Sequence, residues 1–319
     1  MERVGGTRHT GPMPELPEVE ALATDLRARL VGRTMRRVDV PSISALKTFD
    51  PSVDALRGTT VTAAGRRGKH LVLTVDSGLH LVIHLAHSGW VRWREASPRP
   101  TAGRGRGPLA ARVVLEAPAG DGERGDGERG GDELGGDGFD LTEQATQKRL
   151  ALHVVRHPEQ VMSIATLGPE PLDAAFTEER FAAILAHAGR AQIKGVLRDQ
   201  QRIAGIGNAY SDEILHAARM SPFHPASMPA ADVQRLYAAL RQVLGEAVER
   251  ALSVSAASLK AEKRQGMRVH GRKGEACPVC GDTVRQVIYA ESTFEYCATC
   301  QTGGKPLADR VLSRLGVRR

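Results

Sequence analysis

The stretch Cys277–Cys300, CPVCGDTVRQVIYAESTFEYCATC, holds all four cysteines of the chain in the pattern C-x2-C-x16-C-x2-C. Two pairs at this spacing suit facing knuckles whose four thiolates close a tetrahedron around one zinc ion. Two disulfides are the competing reading, and they belong more naturally to a secreted chain. A thioredoxin-like redox pair explains one half of the pattern and not the other. Zinc on Cys277, Cys280, Cys297 and Cys300 keeps no open position for water, so the expected ion is structural and any chemistry lies elsewhere. Between the pairs, Val284, Val287 and Tyr289 precede Phe294 and Tyr296, which suits a β-hairpin.

Outward from this hairpin, the chain of 319 residues is 41% hydrophobic, enough for two packed domains. No apolar run approaches the roughly 20 residues that span a bilayer, and the leader MERVGGTRHTGP lacks the apolar core of a signal peptide, so a cytoplasmic protein is expected. The net charge is +7, but residues 121–140 carry a local balance of −6, which leaves +13 for the rest. Such an excess favours a polyanion partner, nucleic acid above all, and gives the hairpin tip a reason to meet a phosphate backbone. Arginine-rich composition from a GC-rich genome is the alternative source of the same charge.

The apolar positions Val19, Leu22, Ala23, Leu26 and Leu30 repeat at helical spacing, and Gly32 supplies a stop. Leu71, Leu73 and Val75 alternate, Asp76-Ser77-Gly78 turns, and Leu79, Leu81, Ile83 and Leu85 alternate again, which predicts a hairpin. Val38, Val40, Val61 and Ala111–Leu115 add strand candidates. The near-duplicate GDGERGDGERGGD marks a solvated, disordered insertion expected at about 98–139, too poor in apolar residues to offset the entropy of ordering it. From about Leu167 the texture becomes helical: Phe176 to His187, Ile193 to Gln200, Ala209 to Ala218 and Ala230 to Leu252. The expected organisation is a leader (1–13), a mostly β domain (14–165), a helical domain (166–262), a zinc finger (263–302) and a basic tail (303–319).

MPELPEVE at 13–20 admits two readings. Pro14 and Pro17 punctuate a helix entry whose positive end favours acids. Alternatively, loss of Met13 frees the Pro14 nitrogen as a nucleophile beside Glu15.

This opening, the basic turn GRRGKHL at 65–71, Ile193-Lys194 followed by RIAGIGNAY at 202–210, and HGRKGE at 270–275 ahead of the cysteines stand in one order. In that order they resemble the Fpg/Nei family of bifunctional DNA glycosylases over about 14 to 302, apart from the insertion. The resemblance implies an α+β fold: an N-terminal β-sandwich with flanking helices, a helix-two-turn-helix domain and a C-terminal zinc-finger hairpin. It also implies a base-excision-repair enzyme with AP lyase activity, acting as a monomer on double-stranded damaged DNA.

Carried over by motif, Pro14 is the family's nucleophile at the sugar C1′. An α-amine titrates at about 7.7 to 8.0, against about 10.4 for a lysine, so part of it is unprotonated at neutral pH. Glu15 is the acid/base for the sugar ring oxygen. Glu18 is either a second carboxylate or a charge at a helix N-terminus. Lys69, Lys194 and Asn208 are expected to grip phosphates, although a lone lysine in Lys69's position also reads as a solvated charge. His87 stands in an HL-x-x-SG loop where the family usually has a methionine wedge; it either fills the gap left by an extruded base or is a plain loop histidine. The chemistry requires a free Pro14, hence translation from Met13 or removal of the leader.

Three departures limit the resemblance. Leu141–Arg149 stands where formamidopyrimidine glycosylases carry a DPRRFG-like loop, Ser255–Gly271 is short for a lesion-covering loop, and Ala290–Thr293 replaces an arginine at the hairpin tip.

Overall fold

The computed structural model describes residues 13–95, 109–117, 136–289 and 292–308. The chain divides into two compact units, Met1–Pro14 with Val19–Ala165 and Glu15–Glu18 with Thr166–Arg319. The division falls inside the first helix, α1 (Leu16–Leu30).

In the first unit α1 buries Val19, Leu22, Ala23, Leu26 and Leu30, the predicted stripe, and Gly32 leaves the helix at φ +83°, a left-handed conformation that favours glycine. Eight strands follow among the described residues: β1 (Met35–Asp39), β2 (Val61–Arg67), β3 (His70–Val75), β4 (His80–His84), β5 (Gly89–Arg94), β6 (Leu109–Leu115), β7 (Gly138–Glu143) and β8 (Ala151–Val155), with a short α2 (Met162–Ala165) after them. They form two antiparallel four-stranded sheets, β1-β6-β7-β5 and β2-β3-β4-β8. The predicted hairpin is β3–β4, with Leu71 opposite Ile83 and Leu73 opposite Leu81, all four fully buried.

The insertion expected at 98–139 is corrected. β6 lies within that interval and pairs with both β1 and β7, because Ala111, Val113, Val114 and Leu115 supply apolar surface that the flanking residues lack. The Gly- and charge-rich duplicate itself lies outside the described residues, as do residues 1–12 of the leader and 309–319 of the tail.

The sheet β2-β3-β4-β8 carries a histidine pair, His70 buried and His84 half-buried. His70 and His84 face each other across β3–β4 with ring centroids 4.7 Å apart. His70 Nδ1 lies 3.3 Å from the Arg67 carbonyl, so it carries the proton, and Nε2 accepts from Ser163 Oγ at 2.9 Å. Burial lowers the pKa of His70 to about 4; burial, aided by the nearby His70 and Lys69, lowers that of His84 to about 3. Below pH about 6.5 the unfolded chain takes up protons that these folded rings refuse. Stability therefore falls as the pH drops from about 6.5 to 4, on the order of 3 kcal/mol for His70 alone. Urea unfolding followed at pH 7 and pH 5 is expected to show this loss, and His70→Gln to reduce it.

In the second unit α3 (Glu178–Ala188), α4 (Ile193–Arg198), α5 (Asn208–Ala217) and α6 (Ala230–Leu252) follow the predicted helical segments to within a few residues. They share a core of Phe176, Phe181, Leu197, Ile206, Tyr210, Ile214, Leu236 and Leu240. A helix not foreseen, α7 (Leu259–Gly266), occupies the short segment before the finger. The hairpin β9 (Val284–Tyr289) and β10 (Ser292–Cys297) pairs Cys297 with Val284, and α8 (Ala298–Thr302) carries Cys300. Of the arginine-less tip, Ala290 and Glu291 lie outside the described residues. No described helix is long and apolar enough to cross a membrane.

Candidate active site and metal centre

The Gly-rich turn GIGN ends where α5 begins, and the backbone N–H groups exposed there have no partner within the helix. Glu15 supplies one. Its carboxylate accepts from the N–H of Gly207, of Ala209 at 2.9 Å and of Tyr210 at 3.4 Å, while the Leu16 N–H donates to the Gly205 carbonyl at 3.0 Å. A negative charge at a helix N-terminus is stabilised by the helix dipole as well as by these bonds. The glycines follow from this approach. A Cβ on Gly207 would stand 2.4 Å from the Glu15 carboxyl carbon, and one on Gly205, already at φ +84°, 2.8 Å from Leu16.

Glu18 is as buried as Glu15 and serves as a hub. Its Oε1 accepts the Tyr210 hydroxyl at 2.6 Å, and its Oε2 accepts the Glu15 N–H and the Lys263 ammonium, both at 2.8 Å. Burial, together with the Glu18 charge and hydrogen bond, pushes the Tyr210 pKa well above its ordinary value, so the phenol remains a donor. Glu18 stands in the first turn of α1, as the helix-charge reading expects, and also fastens the backbone of Glu15.

Lys194 takes partners other than the phosphate expected of it. Its side chain is fully buried, and its ammonium donates to the Asn208 carbonyl at 3.2 Å, to Ser211 Oγ at 3.0 Å and to Asp212, with the Phe294 ring 4.8 Å away. Burial lowers its pKa against the pull of Asp212. The other oxygen of Asp212 meets His270 Nδ1 at 2.8 Å, and Glu295 Oε2 lies 3.3 Å from the same nitrogen. Burial opposes charge on His270, but the Asp212 hydrogen bond and the Asp212, Glu295 and Glu15 charges outweigh it and raise its pKa. Glu213 accepts three backbone N–H groups, from Arg268, Val269 and His270, and so fastens the segment that leads into the finger.

Asn208 begins α5, where its Nδ2 donates to the Thr293 carbonyl of β10 at 3.0 Å and its buried Oδ1 finds no partner among the described residues. Lys69 and His87 belong to the first unit. Lys69 is half-buried in the tight turn between β2 and β3, and His87 is exposed in the turn after β4, preceded by Ala86 at φ +53°. Pro14 is buried. In the stretch that replaces the DPRRFG-like loop, Glu143 Oε1 accepts from the Arg149 and Leu150 N–H groups at 2.7 and 3.0 Å and closes the turn.

The four cysteines are free thiols, which excludes the disulfide reading, and their sulfurs all lie within 4.8 Å of one another. Cys277 and Cys300 are 3.9 Å apart and Cys280 and Cys297 3.3 Å. A tetrahedron of bonds of about 2.3 Å places sulfurs about 3.8 Å apart, so the cluster fits a metal ion of that coordination. His216 Nε2, at the end of α5, lies 3.3 Å from the Cys277 sulfur and ties the helix to the metal centre.

Residues 13–121 match the formamidopyrimidine-DNA glycosylase N-terminal domain, and residues 167–258 the formamidopyrimidine-DNA glycosylase H2TH domain. A formamidopyrimidine-DNA glycosylase of Symbiobacterium thermophilum is 35% identical over 302 residues, 91% of this chain and 89% of that protein. The chain belongs to the Fpg/Nei family. A second Fpg/Nei-type relative, an uncharacterized formamidopyrimidine-DNA glycosylase-like protein of Mycobacterium tuberculosis, is 54% identical over 150 residues, 47% of this chain and 93% of its own length. The crystal structure of the MutM (Fpg) protein of Thermus thermophilus has a TM-score of 0.72 at 31% identity, covering 92% of this chain and 100% of that one. The Lactococcus lactis Fpg, bound to DNA containing an AP site, shares the fold with a TM-score of 0.73 at 22% identity, over 90% of this chain and 99% of that one.

Within this Fpg/Nei chain, sequence reading missed Tyr210, Asp212, Glu213, Lys263, His270 and Glu295. The available signal was NAYSDE at 208–213, where two acids follow the glycine turn inside an otherwise apolar helix face.

Proposed function

We propose that this protein is a base-excision-repair DNA glycosylase with AP lyase activity, removing oxidised or ring-opened bases from double-stranded DNA. The observation that carries the reading is Glu15: directly after Pro14, buried, and fixed by three N–H groups of the α5 N-terminus. The names of the relatives and the match from Met13 onward agree with it.

In this mechanism the free amine of Pro14 attacks C1′ of an extruded nucleotide while Glu15 protonates the sugar ring oxygen. The base leaves with the electrons of its C1′–N bond. Pro14, a secondary amine, then forms an iminium that is cationic without any proton on nitrogen. That charge acidifies C2′; loss of a C2′ proton expels the 3′ phosphate, and a second elimination expels the 5′ phosphate. The amine must be free, so the active species lacks residues 1–13. Lys69 and Asn208 grip phosphates, His87 fills the gap in the duplex, and Lys194 acts from within by holding the Asn208 carbonyl and Asp212. The metal of the four thiols is one structural zinc ion.

The test is incubation of the chain beginning at Pro14 with duplexes bearing single oxidised purines, oxidised pyrimidines, formamidopyrimidines or an abasic site. Base release followed by strand cleavage with both elimination products is expected on at least one lesion. Tight binding to every duplex with no release on any would instead make the protein a non-catalytic damage binder.

A further inference from the structure

The helix α7 reads LKAEKRQG, and its two buried residues are Leu259 and Lys263, one turn apart on the same face. A lysine on so polar a helix normally extends into solvent. Here its side chain is 3% exposed, and its ammonium lies 2.8 Å from Glu18 Oε2, 3.8 Å from Glu15 Oε1 and 4.8 Å from the Tyr210 ring. Glu18 in turn accepts the N–H of Glu15, the nitrogen of the Pro14–Glu15 peptide.

We infer that Lys263 is a positioning residue of the active site: its ammonium balances the buried Glu15 and Glu18 carboxylates and keeps Glu18 seated on the Pro14–Glu15 peptide. The inference rests on the reaction proposed above. An ammonium shared by two carboxylates has no lone pair to offer, so Lys263 orients the Pro14 amine and the Glu15 carboxyl without forming a bond to the sugar. Among the described residues, these charged and titratable groups face the pair. Tyr210 faces Glu18 from α5, Lys194 of α4 and His270 before the finger sense the Glu15 charge, and Glu262 beside Lys263 is paired with Arg250 at 2.9 Å. Among the described contacts Lys263 is the cation within hydrogen-bond distance of Glu18, so removing it takes that charge from the buried Glu18 carboxylate and a cation 3.8 Å away from Glu15.

The test compares wild type, Lys263→Met and Lys263→Arg, each beginning at Pro14. The readouts are single-turnover borohydride trapping on an abasic duplex, the affinity for that duplex, and the thermal midpoint from pH 5 to pH 8. Lys263→Met is expected to slow trapping about tenfold to a hundredfold with its affinity within about twofold of wild type. Its midpoint deficit is expected to grow with pH, because at acid pH a proton can replace the missing cation on the carboxylate pair. Lys263→Arg, which keeps the charge, is expected to remove that growth. A Lys263→Met variant that traps at the wild-type rate overturns the inference, and so does a deficit equal at every pH, which is lost packing alone. If wild type itself forms no adduct, the proposed reaction fails, while the pH dependence of the midpoints still decides whether Lys263 balances the two carboxylates.

Discussion

Chelating the metal, or replacing Cys297 by Ser, is expected to open the β9–β10 hairpin while the first unit, which contains no cysteine, keeps its fold. Apart from a metal, two small apolar clusters and a few polar contacts hold it. Its own clusters are Val269, Cys277, Val284 and Cys297 on one side and Val287, Tyr296 and Ala298 on the other. A structural zinc site contributes about 10 to 16 kcal/mol in finger peptides, far more than cores of that size. Opening also removes the Thr293 carbonyl from Asn208 and the Glu295 carboxylate from His270 and the Gly271 N–H. DNA affinity is expected to fall by at least about tenfold with it, since each lost phosphate contact releases fewer counterions. Circular dichroism with metal analysis, followed by a binding titration at fixed salt, checks both expectations. A hairpin that stays folded after stoichiometric metal loss contradicts the structural role.

Glu15→Gln is expected to lower base excision by about a hundredfold to ten-thousandfold, the usual range for a general acid/base. Ala209 donates to one Glu15 oxygen and Gly207 and Tyr210 to the other, so Gln keeps an acceptor for only one side and turns its NH2 toward a buried N–H, a stability cost of about 1 to 3 kcal/mol. The loss should be much smaller on a pre-formed abasic site. There the sugar already equilibrates with its open aldehyde and does not need Glu15 to protonate the ring oxygen. Parallel single-turnover rates on a base lesion and an abasic site check this, and equal losses on both substrates contradict the assigned role.

The legible parts of this molecule are those whose chemistry is local. The cysteine spacing is set by the reach of two knuckles around one ion, so Cys277–Cys300 could be read without a fold. The helix stripe of α1 and the β3–β4 alternation are likewise properties of adjacent residues. Strand β6 was legible as the apolar run Ala111–Leu115, but its place in a sheet was not, because its pairing with β1 and β7 is non-local and the interval around it is polar. The cradle of Glu15 was obscured for the same reason. GIGN alone reads as a tight turn, and only proximity to a residue 192 positions away shows why Gly207 can carry no side chain. Lys194 read as a phosphate-facing cation because lysine usually is exposed, and Lys263 carried no signal at all. Their burial depends on Asp212 and Glu18, whose positions no sequence window contains.

With Pro14 as the nucleophile, the covalent bond to the sugar lies on its nitrogen, and that position can be located. The chain beginning at Pro14 is mixed with an abasic duplex and borohydride, the adduct is digested, and the modified peptide is sequenced by mass spectrometry. The account predicts the sugar remnant on the nitrogen of Pro14, with no adduct from Pro14→Gly or from the chain that retains residues 1–13. A remnant on a lysine, such as Lys69 or Lys263, or an adduct formed equally well by the full-length chain, would contradict it.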